Sequence, residues 1–123
     1  MRKFRNIVAW QKADDLAVRV YEFTKSLPKS EIYGLTAQMR RAAVSVAANI
    51  AEGSSRASLK DYVCFLSIAK SSLVEVEYYL HLCHRLGYLN NDDYNSINRM
   101  QEEASKVLHG LIQHIQRQVQ SQT

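Results

Sequence analysis

The sequence predicts an all-α protein, an antiparallel up-down-up-down four-helix bundle, and three observations carry that prediction. Four glycines and one proline in 123 residues are too few for many short strands and turns. Leu59, Tyr62, Leu66, Ala69, Leu73, Val76, Leu80 and Cys83 alternate steps of three and four without a slip, the spacing of one helix face. Between Gln38 and Gly53, alanines at 42, 43, 47, 48 and 51 combine high helix propensity with little bulk, so a neighbouring helix can approach closely.

The first helix is expected from a cap at Asn6 to about Ser26. Ala13, Leu16, Val20, Phe23 and Leu27 form its apolar face, widened by Trp10, Ala17 and Tyr21. Pro28 ends it, because proline disfavours helical geometry in the residue before it. Lys29 to Gly34 is a connector with room for one helical turn. The second helix starts near Leu35 or Thr36 and stops at Gly53, read as a left-handed residue just past the helix end. Ser54 to Ala57 form a loop, and Ser58-Leu59-Lys60-Asp61 resembles a capping box with Asp in place of Glu.

The third helix, about Leu59 to Leu86, carries a second apolar seam through Phe65, Ile68, Tyr79, Leu82 and Leu86. A helix on the outside of a monomeric bundle needs one stripe. The surplus around Phe65, Tyr79 and Leu86 is therefore expected to face a second subunit. Gly87 ends this helix. Asn91 is read as the cap of a fourth, with Asp92 and Asp93 in its first turn where the helix dipole favours acids. Tyr94, Ile97, Ala104, Leu108, Leu111 and Ile115 make its main stripe, which Gln101 interrupts. The tail from Gln116 to Thr123 is polar and expected to fray. Short connections between long helices favour antiparallel neighbours, and the length suits a single domain over residues 1–123.

The net charge of +4 is unevenly spread. Residues 1–60 hold eleven Lys and Arg against five Asp and Glu, whereas residues 61–123 hold five against seven. Excess positive charge in one half is the footprint of a polyanion partner, or simply a solvated surface. Cys64 and Cys83 lie about 28 Å apart along one helix, beyond disulfide reach, and read as reduced and buried. No apolar run approaches the ~20 residues of a membrane span, and no signal-peptide core is present. A soluble cytoplasmic protein without membrane contact is expected.

Several strings then carry a family resemblance. They are Trp10-Gln11-Lys12-Ala13, the turn Pro28-x-x-Glu31-x-Tyr33-Gly34-Leu35, and Gln38-Met39-Arg40-Arg41-Ala42-Ala43. Ser45, Asn49-Ile50-Ala51-Glu52-Gly53 and Phe65-Leu66-x-Ile68-Ala69-x-x-Ser72-Leu73-x-Glu75 complete the set. The chain resembles the four-helix-bundle proteins encoded in intervening sequences of 23S ribosomal RNA genes, often labelled S23 ribosomal protein. The resemblance covers residues 7 to about 111. It implies a small bacterial protein forming a ring of five subunits, a homopentamer. It also implies kinship with accessory proteins of diversity-generating retroelements, whose basic surface engages nucleic acid and a reverse transcriptase. Ala47 stands where proline is expected in many relatives, which should straighten helix two.

Catalytic chemistry finds little support. Glu77, His81 and His84 share adjoining parts of one helix face, but no Glu-x-x-His pair of the di-iron type occurs, and no metal or other cofactor is expected. No Gly-x-Ser-x-Gly, P-loop or Rossmann glycine pattern is present. Cys64 sits in an apolar run, where a thiol is poorly activated. The protein is read as a non-enzyme.

Two sets of polar residues remain. Gln38, Arg41, Ser45, Asn49 and Glu52 form a strip down helix two, either fixing register between helices or subunits or touching a ligand at a ring's centre. Arg2, Lys3, Arg5 and Lys12 cluster at the start, interleaved with Phe4 and Trp10, while Arg40, Arg41, Arg56 and Lys60 flank helix two. Such residues suit phosphate contact and base stacking, and a ring would multiply them. The leading expectation is an oligomeric accessory protein that binds RNA or DNA, structured RNA above all, with a reverse transcriptase as one possible protein partner. The alternative is a protein–protein interaction scaffold whose positive charge is incidental.

Overall fold

In the computed structural model, which describes residues 2–122, four α-helices surround one hydrophobic core: α1 (Val8–Thr24), α2 (Ala37–Ser54), α3 (Leu59–Arg85) and α4 (Asn91–Ser121). Among the described residues there is no strand. Packing joins α1 to α2, α2 to α3, α3 to α4 and α4 back to α1, which closes the bundle. The heptad of α3 is the central seam, with Tyr62, Leu66, Ala69, Leu73, Val76, Leu80 and Cys83 all buried. Leu16 and Val20 of α1, Met39, Val46 and Ile50 of α2, and Ile97 and Leu108 of α4 meet it.

Helix ends depart from expectation in instructive ways. Asn6 is not the cap of α1. It lies in a 3-10 turn over Phe4–Asn6, and α1 starts after Ile7 with no side-chain cap. Gln11 Nε2 instead donates to the Arg5 carbonyl at 2.8 Å, so the entry turn is held from inside the helix. The cap of α4 is Asn90, whose Oδ1 accepts the Asp93 N–H at 2.8 Å. Asn91 is thereby released to bond His84 Nε2 at 2.7 Å. Ser58 caps α3 through the Asp61 N–H, as expected. The connector contains a 3-10 turn at Lys29–Glu31 and a wider turn at Ile32–Thr36.

The glycines at 53 and 87 do different jobs. Gly87, at φ +80°, ends α3 with Tyr88 N–H bonded to Cys83 O and Gly87 N–H to His84 O, a Schellman pair that needs a left-handed residue. Gly53 is inside α2 rather than past its end. A Cβ there would lie 2.7 Å from Phe65 Cβ and 3.0 Å from Tyr62 Cδ1. Its role is close helix approach, the same purpose the alanines Ala42, Ala43 and Ala47 serve higher up.

The tail also differs. α4 remains helical to Ser121, because Ile112 and Ile115 still bury against the core and carry the polar turns beyond them; Thr123 lies outside the described residues. Gln101 sits within this helix's apolar stripe, 3% exposed, with no protein group bonded to its Oε1. Burying an unpaired amide oxygen costs on the order of 1 kcal/mol or more. Gln101→Met, of similar length, should therefore raise stability by about 1 kcal/mol, read as a higher urea midpoint at unchanged m-value.

Candidate nucleic-acid interface

The basic residues divide between the two ends of α2. At its C-terminal end the last carbonyls lack partners within the helix and form the negative end of the helix dipole. Arg2 occupies that position: its Nη1 donates to Ser54 O and Arg56 O, both at 3.3 Å. Its guanidinium also lies 4.7 Å above the Tyr62 ring. Burial pushes the Tyr62 phenol pKa up, and the Arg2 charge opposes that shift. Arg56 reaches back to Glu52 at 2.6 Å and stacks 4.6 Å above Phe65. Arg5 stands 5.5 Å from the Phe4 ring, and Phe4 meets Trp10 edge-on at 4.9 Å.

Two shallow surface depressions meet at Arg2. One continues over Ser54 to Ala57, the other over Lys3, Phe4, Arg5 and Asn6. Arg2, Lys3, Arg5 and Arg56 thus share one end of the bundle, although more than fifty residues separate the first from the last. Glu52 is the carboxylate paired within the group. Arginines whose planes rest on aromatic rings are held with little loss of entropy on contact, a suitable surface for phosphates and unpaired bases. Tyr62 as the seat of Arg2 was not visible in the sequence, where it counted only as a core heptad residue.

The other predicted contacts lie elsewhere. Lys60 is exposed on the first turn of α3, beside Val63 and Cys64 and against the last turns of α4. Lys12 pairs with Glu103 of α4 at 3.5 Å. Arg40 and Arg41 sit at the opposite end of α2, roughly 20 Å away at 1.5 Å per residue. Arg40 Nε donates to Thr24 Oγ1 at 2.8 Å, with the guanidinium 4.6 Å above Tyr21, which ties α2 to α1. Arg41 bonds Gln38 Oε1 through Nε and Nη2 and Glu75 Oε2 at 3.2 Å.

The polar strip of α2 runs along the α2–α3 seam. Below the Gln38–Arg41–Glu75 contact, the Ser45 and Ser72 hydroxyls meet at 2.8 Å. Asn49 Nδ2 donates to Ser45 O at 2.8 Å and Ser45 Oγ at 3.0 Å, and Glu52 closes the strip with Arg56. Of these, the Arg41–Glu75 and Ser45–Ser72 contacts cross from α2 to α3, whereas the Gln38, Asn49 and Glu52 bonds stay within α2 and the turn that follows it. On the second seam of α3, Phe65 is half-buried over Gly53 and Tyr79 half-buried against the core, while Ile68 and Leu86 are half exposed at 50% and 51%.

Among the described residues no three His, Cys, Asp or Glu side chains come together as a metal cluster. His84 stacks on Tyr94 at 4.3 Å with its Nε2 on Asn91. The cysteines are not alike. Cys83 is buried with Sγ 3.5 Å from Met39 Sδ, and burial pushes its pKa from 9.0 to about 11, with the Glu31 charge adding to the shift. Unfolding frees a thiol of ordinary acidity, so this group lowers stability as pH rises from about 9 to about 11. Cys64, expected to be buried, is exposed, because helical spacing puts it on the outer side of α3, away from the heptad that faces the core. A thiol-specific reagent should accordingly label Cys64 in the folded protein and Cys83 only after denaturation, a mass shift of one adduct becoming two.

No helix among the described residues is long and apolar enough to cross a membrane. Residues 5–110 match the profile of a family described as 23S rRNA-intervening sequence protein. The chain is also similar to a crystal structure, at 1.70 Å resolution, of a protein with unknown function from the S23 ribosomal protein family of Bacteroides thetaiotaomicron. Sequence identity is 32%, the match covers 86% of this chain and 96% of that one, and the TM-score is 0.80. No curated protein matches.

Proposed function

We propose that this chain, which belongs to the 23S rRNA-intervening sequence protein family, is a non-enzymatic oligomeric accessory protein that binds nucleic acid through a basic end surface repeated around a ring. The observation that carries the reading is the convergence of Arg2, Lys3, Arg5 and Arg56 around the Ser54–Ala57 turn. One such surface would bind weakly. Phosphate neutralisation is cumulative, so copies arranged by symmetry would bind far more strongly.

Support for oligomerisation comes from apolar side chains left open on α2 and α3. Val44, Ile68, Val74, Tyr78 and Leu86 are each between 43% and 57% exposed. Exposed apolar side chains on neighbouring helices favour burial against a second copy. A ring of five is the arrangement the family resemblance suggests, and the cytoplasm the compartment.

The test is sedimentation of the purified protein together with its binding to a structured RNA across a salt series. A closed oligomer whose log affinity falls linearly with log salt supports the reading. A monomer, or an oligomer indifferent to RNA at low salt, favours the protein–protein scaffold instead.

A further inference from the structure

A second surface lies at the other end of α2, and its chemistry differs from that of the arginine cluster. A groove between the end of α1 and the start of α2 is lined by Lys25, Leu27, Lys29, Ile32, Tyr33 and Arg40, among others, and no Asp or Glu lines it. Tyr33 is 94% exposed and Ile32 48%. Adjacent apolar residues so open to water are unusual in a turn, where small polar residues are the norm.

The turn that presents them is anchored. The Glu31 carboxylate accepts the Tyr88 hydroxyl at 3.1 Å and the Leu35 N–H at 3.4 Å, which ties this turn to the one between α3 and α4. Gly34 departs from helical angles at φ −105° and ψ −112°, so the chain kinks just after Tyr33. On the facing wall Arg40 is fixed by Thr24 and Tyr21. The groove is thus pre-shaped, with an aromatic ring and an aliphatic side chain at one lip and three cations around it.

We infer that this groove docks an acidic segment of a partner protein, one that places an apolar side chain against Ile32 and Tyr33 and its carboxylates against Lys25, Lys29 and Arg40. Charge complementarity selects the occupant. Three cations with no carboxylate among them call for an acidic partner surface. A nucleic acid strand could stack a base on Tyr33 but has no aliphatic group to cover Ile32. A peptide with carboxylates around an apolar anchor satisfies both walls.

The probe is a fluorescein-labelled short peptide of Asp and Glu flanking one Phe and one Leu, titrated by anisotropy into the full chain. Saturable binding is expected, weakened at least about tenfold by Tyr33→Ser and by the pair Lys25→Glu and Lys29→Glu. Replacing the Phe and Leu of the peptide with Ser should weaken it by a similar factor. Tyr33 is too exposed for its loss to unfold the protein, and an unchanged melting temperature checks this. Absence of saturable binding, or equal binding by the variants, overturns the inference. So does RNA binding lost in the same variants, which would assign the groove to nucleic acid, or a change of oligomeric size in Tyr33→Ser, which would assign it to a second copy. Variants at Lys3, Arg5 and Arg56 should leave peptide binding intact, so this inference and the nucleic-acid reading fail separately.

Discussion

Gly53→Val is expected to destabilise the protein by about 3 kcal/mol, lowering Tm on the order of 10 °C. The contact that decides this is backbone-fixed on both sides. A Cβ on residue 53 would stand 2.7 Å from the Cβ of Phe65, and a Cβ cannot rotate away. Tyr62 closes the other side, with Cδ1 at 3.0 Å and its carbonyl oxygen at 3.4 Å. The helices must separate there, and Arg2 on Tyr62 and Arg56 on Phe65 separate with them. Gly53→Ala is the sharper comparison. Residue 53 is helical, so on propensity alone alanine would stabilise by about 1 kcal/mol. Crowding should reverse that sign. A gain in stability for Gly53→Ala in thermal and urea melts would show that α2 and α3 do not meet as described.

Reversing Lys3, Arg5 and Arg56 together to glutamate is expected to weaken RNA binding by a hundredfold or more at low salt, on the order of 3 kcal/mol, with a shallower salt dependence. Six units of charge change per subunit are concentrated on one face, and a ring repeats them. Arg2 is left in place because its bonds to Ser54 O and Arg56 O hold the end of α2. The matching control is Arg40→Glu with Arg41→Glu. It reverses fewer charges at the far end of α2, where Arg40 holds Thr24 and Arg41 meets Glu75. That control should lose stability more than RNA affinity. Filter binding or anisotropy on both proteins, with circular dichroism melts alongside, separates the two. Equal loss of RNA affinity in both would show a diffuse electrostatic field rather than an end surface.

The bundle was legible in the sequence because the information that makes it is periodic and local. The heptad from Tyr62 to Cys83 buries as written, Gly87 takes the left-handed position that ends α3, and Ser58 caps its start. Steps of three and four, a cap hydroxyl and a positive φ are properties of a few neighbouring residues, so a string of letters contains them. The strings from Trp10 to Glu75, the Asn-Ile-Ala-Glu-Gly element among them, likewise carried the family resemblance in their letters.

What only the tertiary structure decided concerns residues far apart in the chain. Gly53 reads as a helix terminator until Phe65 and Tyr62 are seen to press on it. Cys64 and Cys83 look equivalent until one is placed on the outer side of α3 and the other against Met39. The eight basic candidates form one set in sequence, yet space groups Arg2, Lys3, Arg5 and Arg56, ties Lys12, Arg40 and Arg41 to other helices, and leaves Lys60 in a separate depression beside α4. The physical reason is the same throughout. Long side chains choose partners by distance in three dimensions, and which helix ends share a pole of the bundle depends on how four amphipathic faces close on one another, a property no single helix possesses.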